Sequence, residues 1–422
     1  MSEPLPHEDP EKHDPYLALR FRNYRAFAIG WMIFVVGHQA LMVALAWEIY
    51  DRTGSVFLLG LIAAVQVGPL FLFALPAGQL ADTHDRRRIV QITGLVSALA
   101  SVALAMLSYR EGLIWAMFLT MGIGSAALVV GRPARAALLP QVVPLHAFGN
   151  AVTWNSSMTQ MAMIFGPMLG GWIANVSPRA AYVLDAACGL FMVVAMQFLH
   201  ITHQPKSERA PRDLIAGLRF VYANKLVLGT MVLDLFAVLL GGATYLMPVF
   251  AKDILDVGAS GMGWLRTSEA LGAFTMALIQ AHLPPFKRAG RAMLLSVAGF
   301  GVCTIIFGLS QNFWLSIAML FGIGAFDSIS VIVRHTLVQV LTPDSMRGRV
   351  SAINQIFIGA SNELGGMESS LVAKAIGAVG SVVVGGVGTI AVVVAVGWKW
   401  PVLRKLGSLK HVAAETDEED RV

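Results

Sequence analysis

Ionisable side chains stand inside long apolar stretches of this 422-residue chain, among them His38, Asp185, Asp234, Glu269, Asp327, Glu363 and Glu368. A charge at the centre of a bilayer costs about 3 kcal/mol on insertion scales, so each such group marks candidate chemistry. For a lone carboxyl or imidazole in an apolar setting, that chemistry is the loading and release of a proton. Glu269 lies nearest the middle of its stretch, where desolvation weighs most on a carboxylate. Each group also has a structural reading: Asp327 paired with Arg334 two turns on, for example, or a hydrogen-bonded core His38. Glu48 and Asp185 stand nearer the ends of their stretches and carry less weight. Polar neighbours such as Gln39, Asn155, Thr159, Gln160, Asn354 and Asn362 extend the candidate lining, and Trp31, Phe34, Met158 and Trp264 supply adaptable apolar surface.

No pairing of nucleophile and base, no metal-ligand cluster and no phosphate-cradling loop is legible, so neither an enzyme nor a cofactor is expected. Cys188 and Cys303 sit singly in apolar runs, without disulfide or metal spacing. The Gly-x-Gly at 122–124 falls mid-run and recurs at 322–324, which fits helix packing better than a dinucleotide loop.

The elements that must hold these groups are membrane helices. Hydrophobic residues make up 56% of the chain and charged ones 14%, against roughly 25% charged in soluble domains. Runs of about 20 apolar residues, the length that spans a bilayer core, occur twelve times: 26–48, 57–77, 89–108, 113–131, 150–174, 180–200, 226–249, 259–281, 293–310, 313–333, 350–372 and 376–398. The second half repeats the first. Arg135, Pro144, Gly149, Asn155, Gly166 and Met168 recur 199 residues later as Arg334, Pro343, Gly348, Asn354, Gly365 and Met367. A duplicated hydrophobic unit of that size marks a secondary transporter made of two related bundles.

The expected organisation is a cytoplasmic N-terminal segment (1–25), a six-helix bundle (26–200), a cytoplasmic linker (201–225), a second six-helix bundle (226–400) and a cytoplasmic tail (401–422). Leu214, Leu218 and Val221 at helical spacing make the linker amphipathic. Residues 1–16 and 413–422 are polar enough to be disordered, and the N-terminal segment lacks the features of a cleavable signal. Basic residues gather on one side, among them Arg22, Arg25, Arg86, Arg87, Arg88, Arg132, Arg135, Lys206, Arg209, Arg212, Lys287, Arg288, Arg349 and Arg404. By the positive-inside rule both termini are cytoplasmic and the membrane is the cell (inner) membrane. The formal charge of +5 therefore reports topology, and no nucleic-acid partner is expected.

Two motifs are more specific. After the second run stand Gly78, Asp82, Asp85 and the cluster Arg86-Arg87-Arg88. Gly78 permits close helix approach, and Asp82 can cap a helix or pair with an arginine such as Arg132; a plain basic anchor is the other reading. The fifth run carries Gly166-Pro167-Met168-Leu169-Gly170-Gly171, in which Pro167 bends a helix and the glycines admit a neighbour, though glycine and proline are common in membrane helices.

These motifs resemble the loop signature and the exporter (antiporter) signature of the major facilitator superfamily. Thr83 and Asp85 depart from the loop pattern, and Phe118 stands where proton-coupled drug exporters carry an arginine. Further stretches (Phe21 to Arg25, Trp47 to Tyr50, Arg132 to Pro140, Arg347 to Val350) are similar to the transmembrane secretion effector branch, which includes enterobactin-exporter-like proteins. The resemblance implies an all-α integral membrane protein of twelve helices in two bundles. It places His38, Asp234, Glu269, Asp327 and Glu363 on cavity helices, and Gly166, Pro167, Gly170 and Gly171 at the outer seal. It implies a monomeric, proton-coupled exporter of amphipathic small molecules (a drug, siderophore or secondary metabolite), with a facilitator or importer of lipid-like or nutrient cargo as the alternative.

Overall fold

The computed structural model of the chain describes residues 14–109, 113–200, 214–284, 286–343 and 346–407. Most of the N-terminal segment, the acidic tail, Arg110 and the linker residues Lys206, Arg209 and Arg212 lie outside the described residues. Every regular element among the described residues is helical. The first half contains α1 (Arg22–Thr53), α2 (Val56–Thr83), α3 (Arg86–Leu107), α4 (Ile114–Leu138), α5 (Phe148–Val176) and α6 (Pro178–Gln197). The linker helix α7 (Leu214–Ala223) follows. The second half contains α8 (Lys225–Leu240), α9 (Met247–Val249), α10 (Gly258–His282), α11 (Ala289–Leu309), α12 (Phe313–Val340), α13 (Arg347–Lys399) and α14 (Pro401–Lys405).

Among the described residues, nine helical stretches are long and apolar enough to cross a membrane, against the twelve expected. The difference has local causes. Helix α13 covers two expected runs and is broken at Gly377 by a left-handed φ of 82° that glycine adopts without strain. Helices α5 and α10 have the length, but Asn155, Ser156, Ser157, Thr159 and Gln160 in one, and Arg266 and Glu269 in the other, dilute their apolarity.

The seventh run is interrupted as well. Helix α8 stops at Leu240, and after Gly241-Gly242 the chain continues as a 3-10 turn (Ala243–Leu246), the short α9 and a π-turn (Phe250–Ile254). Helix α3 begins at an N-cap supplied by Asp85, which accepts from the Arg87 N–H (2.9 Å) and the Arg88 N–H (3.4 Å). Asp82, a candidate for that job, is exposed instead.

Lipid gives helices little hydrophobic reason to associate, so packing and small residues decide which pairs form. In the first half α1 packs on α5 and α6, α3 on α4 and α6, and α2 on α4; in the second, α12 packs on α10 and α11, and α13 on α8 and α11. Two interfaces join the halves, α5 against α10 and α2 against α13. The 199-residue offset carries α2 onto α10 and α5 onto the start of α13, so these interfaces are one contact made twice, as a two-fold arrangement requires.

The halves are not equally close at both ends. Where α1 ends and α10 begins, a single apolar cluster runs across both halves and includes Leu45, Ile49, Tyr50, Leu246, Met247, Phe250, Met262 and Phe307. At the other end the clusters stay within one half: Tyr24, Phe27 and Met192 in the first, and Leu233, Met293 and Leu337 in the second. The linker helix does not lie free. Val221 is buried with Val227, Met231, Val338, Val350 and Ile353, which fixes α7 to the second half.

Candidate functional site

The break after α8 builds the site. A Cβ at Gly241 would fall 2.5 Å from the Phe300 ring, and one at Gly242 would fall 2.6 Å from the Gly365 carbonyl oxygen. Only glycines allow α11 and α13 to press so close, and the chain there gives up the α-helix. The turn that follows delivers two hydroxyls to two acids. Thr244 donates to Glu269 on α10 (3.2 Å), and the Tyr245 hydroxyl donates to Glu363 on α13. Broken membrane helices of this kind are where transporters place their ligands.

Around these acids stands a cation. Arg266 lies one turn before Glu269 on α10, within electrostatic reach of both Glu269 and Glu363. It forms an ion pair with neither among the described residues, and its Nε is buried without a hydrogen-bond partner. Asp327 on α12 lies within electrostatic reach of Glu269. The approach is made possible by Gly324, whose missing Cβ leaves room for the Glu269 carbonyl. Glu269, Asp327, Glu363 and Arg266 thus form one group in the second half, from α10, α12 and α13.

Asp234 is held differently. It forms a buried ion pair with Arg334, so Arg334 partners Asp234 and not Asp327. The repeat counterpart of Arg334 is Arg135, which has no acidic partner among the described residues; its guanidinium lies 3.4 Å from the centroid of the Trp31 ring. Trp31 donates from Nε1 to Thr159 (3.1 Å) and packs on Phe34 at 5.5 Å. His38 continues this row on α1, parallel to Phe34 at 6.2 Å and 8°, apart from the acid group and without a hydrogen bond among the described residues. Glu48 and Asp185 serve the first half's own packing. Glu48 accepts from Ser108 (2.5 Å) and from Tyr182 and pairs with Arg52, while Asp185 accepts from Ser101.

The glycine-proline motif sits at the closed end. A Cβ at Gly166 would lie 2.5 Å from Gln39 Cβ, and one at Gly170 would lie 2.5 Å from Ala40 Cα, so both glycines admit α1. Gly171 faces the other half: its Cβ would lie 2.6 Å from the Ala259 oxygen and 2.6 Å from Gly263 Cα. Gly263 in turn admits the Pro167 carbonyl. Thr267 donates to the Ile164 carbonyl across the same seam (3.2 Å). At the rim, Lys252 pairs with Asp51 (2.6 Å) and Tyr50 donates to Asp253.

At the open end, Gly78 has nothing within 4 Å of a would-be Cβ, and neither Asp82 nor Arg132 forms an ion pair among the described residues. Arg86 ties the loop to its own half, donating to the Ala81 carbonyl (3.2 Å) and the Ala137 carbonyl (3.5 Å).

Sequence reasoning missed Arg266, Thr244 and Tyr245. Arg266 had a signal: it precedes Glu269 by three residues within one apolar run, hence on one helix face. Gly241-Gly242 inside an apolar run was the signal for the break.

The chain's relatives agree with this architecture. A family model of transmembrane secretion effectors matches residues 14–418. Enterobactin exporters EntS from Shigella boydii serotype 4 and from Escherichia coli O1:K1 are each 26% identical over 336 residues, covering 78% of this chain and 80% of the relative. Among solved structures, a bacterial homologue of the human lysosomal transporter Spinster, in an inward-facing and occupied conformation, has a TM-score of 0.69 at 13% identity and covers 94% of this chain and 98% of its own. The nucleoside transporter NupG has a TM-score of 0.68 at 15% identity over 90% of this chain and 98% of its own. These are transporters and not enzymes, and the chain belongs to the transmembrane secretion effector family of major facilitator membrane transporters.

Proposed function

We propose that this protein is a proton-coupled exporter of amphipathic small molecules that works by alternating access in the cell (inner) membrane. The observation that carries the reading is the group Glu269, Asp327, Glu363 and Arg266, set beside a broken helix beneath an end where the two halves close on each other. Acids at this depth that are not consumed in ion pairs are the groups able to load a proton on one side and release it on the other. Asp234, paired with Arg334, is not the acid that loads first.

In this reading residues 26–200 and 226–400 form two six-helix bundles, α5 and α10 cross the bilayer despite their polar residues, and the break at Gly377 separates the last two of twelve spans. Both termini are cytoplasmic, so the closed end faces outward and the cavity opens to the cytoplasm. Trp31 and His38, backed by the buried Phe34 and with Arg135 above Trp31, offer cargo an aromatic and cationic wall on the first half. The relatives' name makes enterobactin the first cargo to try. The protein acts as a monomer, since one chain supplies both halves that alternating access needs.

The test is direction. In inside-out vesicles from cells that express the protein, labelled enterobactin and a panel of amphipathic drugs should accumulate in the lumen when it is acidic. Accumulation of a cargo only in right-side-out vesicles identifies an importer, and flux that only equalises concentrations identifies a facilitator; either result defeats the proposal.

A further inference from the structure

A cavity of about 10 Å³ lies within the second half between α8, α11 and α12, walled by Asp234, Val297, Phe300, Phe326, Asp327 and Ser330. That is space for about one water, provided two to four polar groups surround it. Three polar groups do. Ser330 is only 3% exposed, and its Oγ has no hydrogen-bond partner. A serine in a helix ordinarily bonds back to a carbonyl of the preceding turn, as Thr336 does on the same helix (2.9 Å to Ile332). Asp327 lines the cavity and accepts no hydrogen bond among the described residues. Asp234 offers the carboxyl oxygens left over from its pair with Arg334.

The spacing on α12 is orderly. Asp327, Ser330 and Arg334 stand at i, i+3 and i+7 and so share a helix face. Arg334 is about 10 Å further along the axis toward the end where the halves stand apart. The groups that face Asp327 are Glu269 from α10 and Asp234 from α8, the latter paired with Arg334; the wall from α11 is Val297 and Phe300.

We propose that this cavity holds a water which joins Asp327 to the Asp234–Arg334 pair, with Ser330 as its positioning residue, and that the three form a proton path inside the second half. The water accepts from the Ser330 hydroxyl and from the protonated Asp327 carboxyl, and donates to the Asp234 carboxylate. A protonated Asp327 passes its proton to the water as the water passes one of its own to Asp234. The net change is one proton moved from Asp327 to Asp234, with the water regenerated and Arg334 still cationic. A neutral Asp234 holds Arg334 less strongly, so the transfer loosens the α8–α12 contact at the moment the proton moves toward the open end.

This inference rests on the proton-coupling reading, and its test separates the two. Full-length protein in lipid nanodiscs is subjected to a pH jump, and proton release is followed by stopped flow with a pH-sensitive dye. The phase absent in Asp327→Asn belongs to Asp327; if no phase is lost, the water path falls while proton coupling passes to another acid of the group. If the phase exists, Ser330→Ala should slow it about tenfold, the scale of losing one bridging hydrogen bond. Val297→Ile, which adds a methylene to the cavity and removes no polar group, should slow it as Ser330→Ala does. Parent-like rates in both Ser330→Ala and Val297→Ile would overturn the water path and leave Asp327 as a coupling acid.

Discussion

Replacing Gly171 with alanine should push the protein out of the conformation seen here. The new methyl would stand 2.6 Å from the Ala259 carbonyl oxygen and 2.6 Å from Gly263 Cα, both backbone atoms of the other half. Ordinary contact needs roughly 3.5–4.0 Å, so α5 and α10 must part by about 1 Å. Overpacking of this kind costs about 1–3 kcal/mol. Because the strain exists only while the halves touch at the closed end, the cost acts on the conformational equilibrium. At about 2 kcal/mol the ratio of open to closed at that end rises about 30-fold. Spin labels on cysteines at Val176 and Gln311, exposed positions in different halves at this end, would report it as a new, longer distance in pulsed electron resonance. Gly170→Ala is the control. Its methyl would strike Ala40 within the same half, so it should lower thermal stability without moving that distribution. Identical distributions for the parent and Gly171→Ala, or the same change in both variants, would refute the assignment of Gly171 to a contact that opens.

Three further outcomes are expected. Asp234→Asn strands a buried Arg334 and should cost about 3–5 kcal/mol, read as a fall in melting temperature that Asp234→Asn with Arg334→Gln partly reverses; no fall would show that the pair carries no stability. Asp82→Asn should reduce transport with near-normal expression, since Asp82 and Arg132, unpaired with the open end apart, are expected to meet when that end closes; parent-like transport would remove Asp82 from the gate. A cysteine at Ser207 should resist an impermeant thiol reagent in intact cells, and ready labelling there would reverse the topology.

Much of the architecture was legible because run length and repetition are properties of composition along the chain. The break in α13 at Gly377 falls beside the gap expected between 372 and 376. The motif of Gly166, Pro167, Gly170 and Gly171 announced close approach, but not which glycine faces which half; that depends on the rotation of α5 about its axis. Pairings across helices were the least legible. Arg334 sits two turns from Asp327 in sequence, yet α8 brings it a closer acid in Asp234. Asp85 rather than Asp82 caps α3 because capping depends on where the first turn starts, and sequence places that boundary only to within a few residues. The acids themselves were found from cost alone, since a carboxyl in an apolar run asks for a reason. Arg266 was lost in the same run, though a cation there asks for one equally.

In the proposed cycle cargo moves outward at the expense of a proton gradient, through acids of the second half. Nothing in the chain resembles a nucleotide site, and each charge crossing 100 mV supplies about 2.3 kcal/mol. The most direct measurement takes a cargo found in the inside-out vesicle screen and follows its accumulation with and without an uncoupler, in the parent, Glu269→Gln and Asp327→Asn. Uphill accumulation is expected in the parent, with collapse on uncoupling and loss of uphill transport in at least one variant. Accumulation against a gradient that survives the uncoupler would contradict proton coupling, and full activity in both variants would move the coupling site to His38, Asp234 or Glu363.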